Sequence, residues 1–148
     1  MIRFALLCWL AWSGAAVAAS AGADVAASTV VRQFYELAVN GHDPAKAFAR
    51  YAAPDYVEHS GDVAQGTRSS SLALMQSFVA KWPAGHADVL RTATQAGLVF
   101  LHVRFRPGDG TASFALAEIF RVEQGMITEH WDVIAPLRSP PINPISPF

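Results

Sequence analysis

Residues 118–134 read EIFRVEQGMITEHWDVI, the pattern of two β-strands joined by a tight turn at Gly125. Side chains alternate between the two faces of a strand, so His130, Asp132 and Ile134 share one face. The other face carries Glu129, Trp131 and Val133. Two residues separated by one along a strand lie roughly 7 Å apart. The first face therefore presents an imidazole and a carboxylate together, and it is a candidate functional site.

The rest of the chain predicts helices first and strands afterwards. Apolar residues at helical spacing predict helices over residues 30–40, 43–51 and 69–82, with a short extended segment at Tyr56–His59. Alternating segments bounded by turn residues predict strands over residues 89–95, 98–106, 113–122 and 126–134. Helices followed by hairpin-linked strands predict an α+β fold with a pocket between the sheet and the helices.

The first 19 residues have the pattern of a secretory signal peptide. Arg3 precedes the apolar run Phe4–Trp12, and Ala16-Val17-Ala18 fits the small-x-small cleavage rule. The run is shorter than the about 20 residues that span a bilayer, although an uncleaved anchor is the alternative. We predict a secreted or periplasmic protein with a small-residue linker at Ser20–Ala27. The predicted domain covers residues 20–137, and a proline-rich tail follows at 138–148.

Composition narrows the functional classes. The only cysteine, Cys8, lies in the predicted signal peptide, so the mature domain has no disulfide. The chain has 11 lysines and arginines against 12 aspartates and glutamates, a net charge of −1. This balance offers no basic patch for nucleic acid, and the mature sequence has no apolar segment long enough to span a membrane.

Carboxylates on otherwise apolar strand faces are the candidate catalytic groups. Glu118 shares a face with Leu116 and Phe120, and such a carboxylate is costly to bury unless it is protonated or paired. Asp132 is in the same situation one strand later. Burial disfavours the charged form of a carboxylate, which makes it a stronger base toward an acidic carbon–hydrogen bond. We predict Asp132 as general base, and the other catalytic candidates are His59, His102 and Glu118.

The candidate ligand-contacting residues are Tyr56, Phe100, Phe120 and His130. In the strand 98–106 one face is wholly apolar, and we expect the mixed face to form the cavity wall.

Each assignment has a structural alternative. His102 could be a core histidine, and Glu118 could pair with Arg104. His130 could be solvated at the sheet edge, and Asp132 could only hold a hydrogen bond. Trp131, on the opposite face from Asp132, is predicted to pack in the core or at a dimer interface.

A metal site is the less favoured interpretation of the same residues. Imidazole and carboxylate donors for zinc or iron come from His59, His102, His130, Glu118 and Asp132. No pair of them has the spacing of a metal motif such as His-Glu-x-x-His. The sequence therefore predicts no metal.

Four segments resemble the SnoaL-like family of the nuclear-transport-factor-like superfamily: Tyr56–His59, the loop at Gly66 that leads into a helix, the strand that holds His102, and residues 118–134. The resemblance covers Val25–Pro136 and favours a bacterial branch described as predicted aldol-condensation-catalysing proteins. It implies a strongly curved antiparallel sheet wrapped around a pocket closed by three N-terminal helices, an α+β cone. It also implies a homodimer formed through the outer face of the sheet.

The resemblance implies a chemistry as well. In similar polyketide cyclases an aspartate in the pocket takes a proton from the carbon beside a carbonyl, without metal or organic cofactor. That role falls on Asp132, with His59 and His102 as pocket partners. This sequence departs from the family pattern at three positions. Ser60 replaces the usual Asn, Glu118 the usual Asp and Met126 the usual Lys.

We therefore expect a cofactor-independent, aldol-type cyclase or isomerase that acts on a small apolar carbonyl compound. One alternative is a periplasmic binding protein without turnover. Another is a dimeric interaction module, because members of this superfamily also bind without catalysis.

Overall fold

The computed structural model of the protein describes residues 12–148, with side chains from residue 19 onward. Three α-helices precede most of the sheet: α1 (Trp12–Tyr35), α2 (Pro44–Tyr51) and α3 (Arg68–Lys81). The strands are β1 (Ala52–Glu58), β2 (His86–Gln95), β3 (Leu98–Arg106), β4 (Phe114–Glu123) and β5 (Met126–Pro136). A π-helical turn extends α1 over Glu36–Asn40, and a 3-10 turn at Ala64–Gly66 precedes α3.

The five strands form one open sheet in the order β1-β5-β4-β3-β2. The four strands β2 to β5 pair antiparallel, as predicted, whereas β1 pairs parallel to β5. The α+β class is confirmed, but the sheet is mixed and not purely antiparallel. β1 reaches β5 by a contact between distant parts of the chain, so no hairpin fixes its direction.

Side chains cap the first turns of α2 and α3. The Asp43 carboxylate accepts a hydrogen bond from the Lys46 amide at 3.0 Å, with Pro44 at the first position of α2. Thr67 caps α3 in a reciprocal capping box with Ser70. α3 begins at Arg68, one residue before the start predicted at Ser69.

The prediction of a linker at Ser20–Ala27 is wrong, because these residues belong to α1. Alanine is the strongest helix former, so an alanine-rich run of small residues continues a helix. The predicted signal peptide lies largely outside the described residues, which begin at residue 12, and it stays a prediction. No helix within residues 12–148 is long and apolar enough to cross a membrane.

The core lies between the helices and one face of the sheet, called here the inner face. Val31, Phe34, Tyr35 and Ala38 follow helical spacing and are all buried. Opposite them, the inner face contributes the buried side chains Val99, Leu101, Val103, Phe105, Leu116, Phe120 and Ile127. Beside this core, residues of all three helices and of the inner face line a cavity.

Candidate functional site

The cavity lies between the three helices and the inner face of the sheet. Its volume is about 90 Å³, enough for a few water molecules or a small ligand. Its apolar wall comes from the helices and includes Phe34, Phe48, Met75 and Phe78. Its carboxylates and its imidazole come from the strands and are Glu58, Glu118, Asp132 and His130. The site therefore combines an apolar enclosure with charge placed on one side.

His130 lies between two buried glutamates. Its Nδ1 is 2.9 Å from Glu58 Oε2, and its Nε2 is 2.6 Å from Glu118 Oε2. With a carboxylate at each ring nitrogen, the imidazole donates to both in its protonated form. The exposed fractions of Glu58, Glu118 and His130 are only 7, 5 and 9%. We call these three residues the Glu–His–Glu network.

Additional donors hold the two glutamates. Glu58 accepts hydrogen bonds from the Tyr56 hydroxyl at 2.6 Å, the Ser71 hydroxyl at 2.7 Å and the Ser60 amide at 2.9 Å. Glu118 accepts one from the Tyr35 hydroxyl at 3.0 Å. Donors from α1, α3 and β1 thus converge on the network and fix it in place.

The network fixes the charge of its members. Burial by itself raises the pKa of Glu58, but hydrogen bonds and the charge of His130 outweigh it and lower the pKa to about 2. Burial by itself lowers the pKa of His130, and the hydrogen bonds to Glu118 and Glu58 overcome it and raise the pKa to about 10. At neutral pH His130 is therefore an imidazolium and cannot act as a base.

Asp132 differs from the network because no hydrogen-bonded cation faces it in the described part of the chain. It lies directly across from Glu118 in the β4–β5 register and lines the cavity. Burial, followed by the negative charge of Glu118, raises its pKa, while a hydrogen bond from the Ser60 side chain opposes the shift. Asp132 therefore holds a proton more readily than an exposed aspartate does.

Residues 31–130 match the family model of the SnoaL-like domain, which covers more than half of the chain. This chain belongs to the SnoaL-like family. The family predicted from Tyr56–His59 and residues 118–134 is therefore confirmed. No curated protein sequence matches the chain.

Solved structures share the fold. IdmH of Streptomyces antibioticus, a candidate polyketide cyclase, is 25% identical, with a TM-score of 0.61 over 73% of this chain and 91% of IdmH. AclR of Streptomyces galilaeus, a candidate hydroxylase, is 20% identical, with a TM-score of 0.63 over 75% of this chain and 90% of AclR. A candidate polyketide cyclase of Acidithiobacillus ferrooxidans is 15% identical, with a TM-score of 0.62 over 74% of this chain and 87% of its own. The last two likenesses show the fold alone.

Within this SnoaL-like domain, five of the predicted site residues line the cavity: Tyr56, Glu118, Phe120, His130 and Asp132. The structure contradicts two of the structural alternatives, the pairing of Glu118 with Arg104 and the solvation of His130. Arg104 pairs with Asp88 at 3.0 Å and not with Glu118, and His130 is buried and not solvated. The catalytic and ligand-binding roles of the five residues stay predictions.

The expectation that His102 and Phe100 line the cavity is wrong. The apolar face of β3 packs against the helices, so the mixed face points outward. There the His102 Nδ1 lies 2.8 Å from Arg91 Nη1, and Phe100 is 39% exposed. The core and the cavity share the inner face of the sheet, so the mixed face of β3 does not reach the cavity when its apolar face meets the helices.

The expectation that His59 is a pocket partner is also wrong. Its Nε2 lies 3.1 Å from Glu129, and its ring stacks on Trp131 with 4.4 Å between centroids. Both partners are on the outer face. Trp131 is indeed on the opposite face from Asp132, and its packing partner in this chain is His59.

The sequence interpretation missed Glu58, Tyr35 and Ser71. Glu58 could have been found, because strand alternation places it on the same face as Tyr56, which was already a candidate. Tyr35 and Ser71 follow the helical stripes of α1 and α3, where a single hydroxyl has no distinctive pattern. Among residues 12–148, no group of three or more histidine, cysteine, aspartate or glutamate side chains is arranged to hold a metal ion.

Proposed function

We propose that this SnoaL-like protein is a cofactor-independent acid/base enzyme acting on a small, mostly apolar carbonyl compound, in an aldol-type cyclisation or an isomerisation. The observation that carries this proposal is Asp132, a half-buried carboxylate with a raised pKa that faces an apolar cavity. A base of this kind is suited to removing a proton from the carbon beside a carbonyl.

The other groups support that step without taking part in proton transfer. Proton removal places negative charge on the carbonyl oxygen as an enolate forms. The imidazolium of His130 lies on the same strand face as Asp132 and offsets part of the negative charge of the site. The total charge of the site stays constant in this step, because the proton moves to Asp132 as the enolate forms. The apolar side chains that line the cavity, among them Phe34 and Phe48, lower the local dielectric constant and so strengthen the interaction of His130 with the negative charge.

The competing function is binding without turnover. It is favoured by the saturation of the Glu–His–Glu network, in which each ring nitrogen and each carboxylate already has a hydrogen-bond partner. In that case Asp132 would only orient a ligand.

Proton–deuterium exchange distinguishes the two functions. We expect the wild-type protein to catalyse exchange beside the carbonyl in a panel of ketones and β-dicarbonyl compounds, followed by NMR. Asp132→Asn should lower the rate by about 100-fold or more, because a positioned general base contributes about 10²–10⁴.

Asp55→Asn is the matched control, since Asp55 is exposed on β1 and does not line the cavity. It should exchange like the wild type. Equal rates in wild type and Asp132→Asn would remove Asp132 from the mechanism. Ketone binding without any exchange would establish the binding function.

Secretion and dimerisation are further proposals. The export proposal rests on the sequence of residues 1–19, and the dimer proposal on exposed apolar side chains of the outer face such as Phe100 and Val133.

A further inference from the structure

The charges around the cavity do not balance. Three carboxylates, those of Glu58, Glu118 and Asp132, line it together with one imidazole, that of His130. No lysine or arginine is among the lining residues within the described chain. Even with His130 protonated, the ionised carboxylates outnumber the cations.

The hydrogen bonds leave little for an incoming anion. Both nitrogens of His130 face carboxylates, and the hydroxyls of Tyr35 and Tyr56 donate to Glu118 and Glu58. A ligand carboxylate would therefore enter an apolar space beside negative charge and find these donors occupied. Burying a charge without a partner is strongly unfavourable.

An uncharged carbonyl compound does not meet this barrier, and a protonated amine would be attracted. A cationic group beside Asp132 and Glu118 would offset the excess negative charge that the fold buries. The same network that holds His130 in place thus also sets which ligand charge the pocket accepts.

We propose that the Glu–His–Glu network and Asp132 make the pocket reject carbonyl compounds that carry an acidic group. The substrate class is thereby restricted to carbonyl compounds that are uncharged or carry an amine. This inference rests on the proposed function, since it assumes that the cavity takes a carbonyl compound.

Three methyl ketones of the same size and shape test the charge preference. They are levulinate, 5-methyl-2-hexanone and 4-(dimethylamino)-2-butanone, which end in a carboxylate, an isopropyl group and a dimethylammonium group. We expect, at pH 7, that the full-length protein binds levulinate at least about ten-fold more weakly than the neutral ketone. The amine should bind as tightly as the neutral ketone or more tightly. NMR titration gives the three dissociation constants without requiring turnover.

Glu118→Gln removes one negative charge at nearly constant shape. It should reduce the discrimination against levulinate by about ten-fold, whereas Glu123→Gln, exposed in the β4–β5 turn, should leave it unchanged. If Glu118→Gln fails to fold, the wild-type comparison of the three ketones still tests the inference.

Levulinate binding as tightly as the neutral ketone would overturn the inference. Failure of the neutral ketone to bind would overturn it as well. The two proposals fail separately. Discrimination without proton exchange would contradict only the enzyme proposal, and exchange of levulinate and the neutral ketone at equal rates would contradict only the charge preference.

Discussion

His130 shows how neighbouring residues determine the state of a single side chain. An exposed histidine titrates near neutrality, but the pKa of His130 is raised to about 10 because Glu118 and Glu58 bind its two ring nitrogens more strongly than burial disfavours its charge. A pKa that is higher in the folded than in the unfolded chain favours folding. This contribution is complete below the unfolded pKa of about 6.5 and is lost as the pH rises through about 10.

We therefore expect the free energy of unfolding to fall between roughly pH 7 and pH 10, in part because of His130. His130→Gln should flatten this fall. It should also destabilise the protein by about 3–5 kcal/mol at pH 7, because it leaves two buried carboxylates without their cation. Urea denaturation at several pH values measures both effects.

His86→Gln is the control, because His86 is exposed and remote from the cavity. It should keep the wild-type dependence on pH. Parallel stability profiles for wild type and His130→Gln would show that His130 is not held protonated in the folded protein.

At the scale of elements, the loop between β1 and α3 determines where the inward-facing end of β1 lies. Val57 forms an isolated bridge with Thr67, which closes the loop onto the strand. Gly66 has a φ of +59°, and a Cβ there would lie 2.7 Å from the Glu58 carbonyl oxygen. Gly66 therefore permits both the turn and its close approach to β1, next to the carboxylate that holds His130.

We expect Gly66→Ala to destabilise the protein by about 1–2 kcal/mol through its left-handed backbone alone. The added contact with Glu58 should displace β1, so binding of 5-methyl-2-hexanone should weaken as well. Thermal denaturation and NMR titration measure these effects.

Gly61→Ala is the matched control in the same loop, because a Cβ there meets no atom within 4 Å. It should leave stability and binding nearly unchanged. If Gly66→Ala and Gly61→Ala were equally stable, the turn at Gly66 would not constrain β1.

At the scale of the whole molecule, the outer face of the sheet carries several exposed apolar side chains among its charged ones. Phe100, Ile119 and Trp131 are cross-strand neighbours, and Val133 in the next row is 67% exposed. The tail covers one end of this face, where the Phe148 ring lies 6.0 Å from the His102 ring and 5.4 Å from the Arg104 guanidinium. Neighbouring exposed apolar side chains of this kind favour an interaction surface.

We expect the protein to be a homodimer through this face, burying about 800 Å² on each protomer. Val133→Asp should convert it to a monomer while leaving the fold intact, because the side chain is already largely exposed. Light scattering coupled to size-exclusion chromatography measures the mass. Gln76→Asp, exposed on α3, should remain dimeric. A dimeric Val133→Asp variant would place the interface elsewhere.

Sequence patterns of neighbouring residues were sufficient to predict most of the helices and strands. Capping residues and turn glycines located α2 and the β4–β5 turn, and the strand 98–106 was predicted with its exact bounds. Alternation also placed His130 and Asp132 together on one face. These features depend on residues a few positions apart, where backbone geometry leaves few choices.

Only the tertiary structure decided which of those faces points inward and what it meets there. His102 lies on a strand face that also holds apolar residues, yet it points outward because the helices pack on the opposite face of β3. Glu58 belongs to the site because its carboxylate binds His130, which is 72 positions away in the sequence. Sequence alone thus determined the family, most of the elements and the shared strand face of His130 and Asp132. The Glu–His–Glu network could not be predicted in this way, because its members come together only when β1, β4 and β5 pack side by side. Electrostatic interactions depend on the distance between groups in space and not on their separation along the chain.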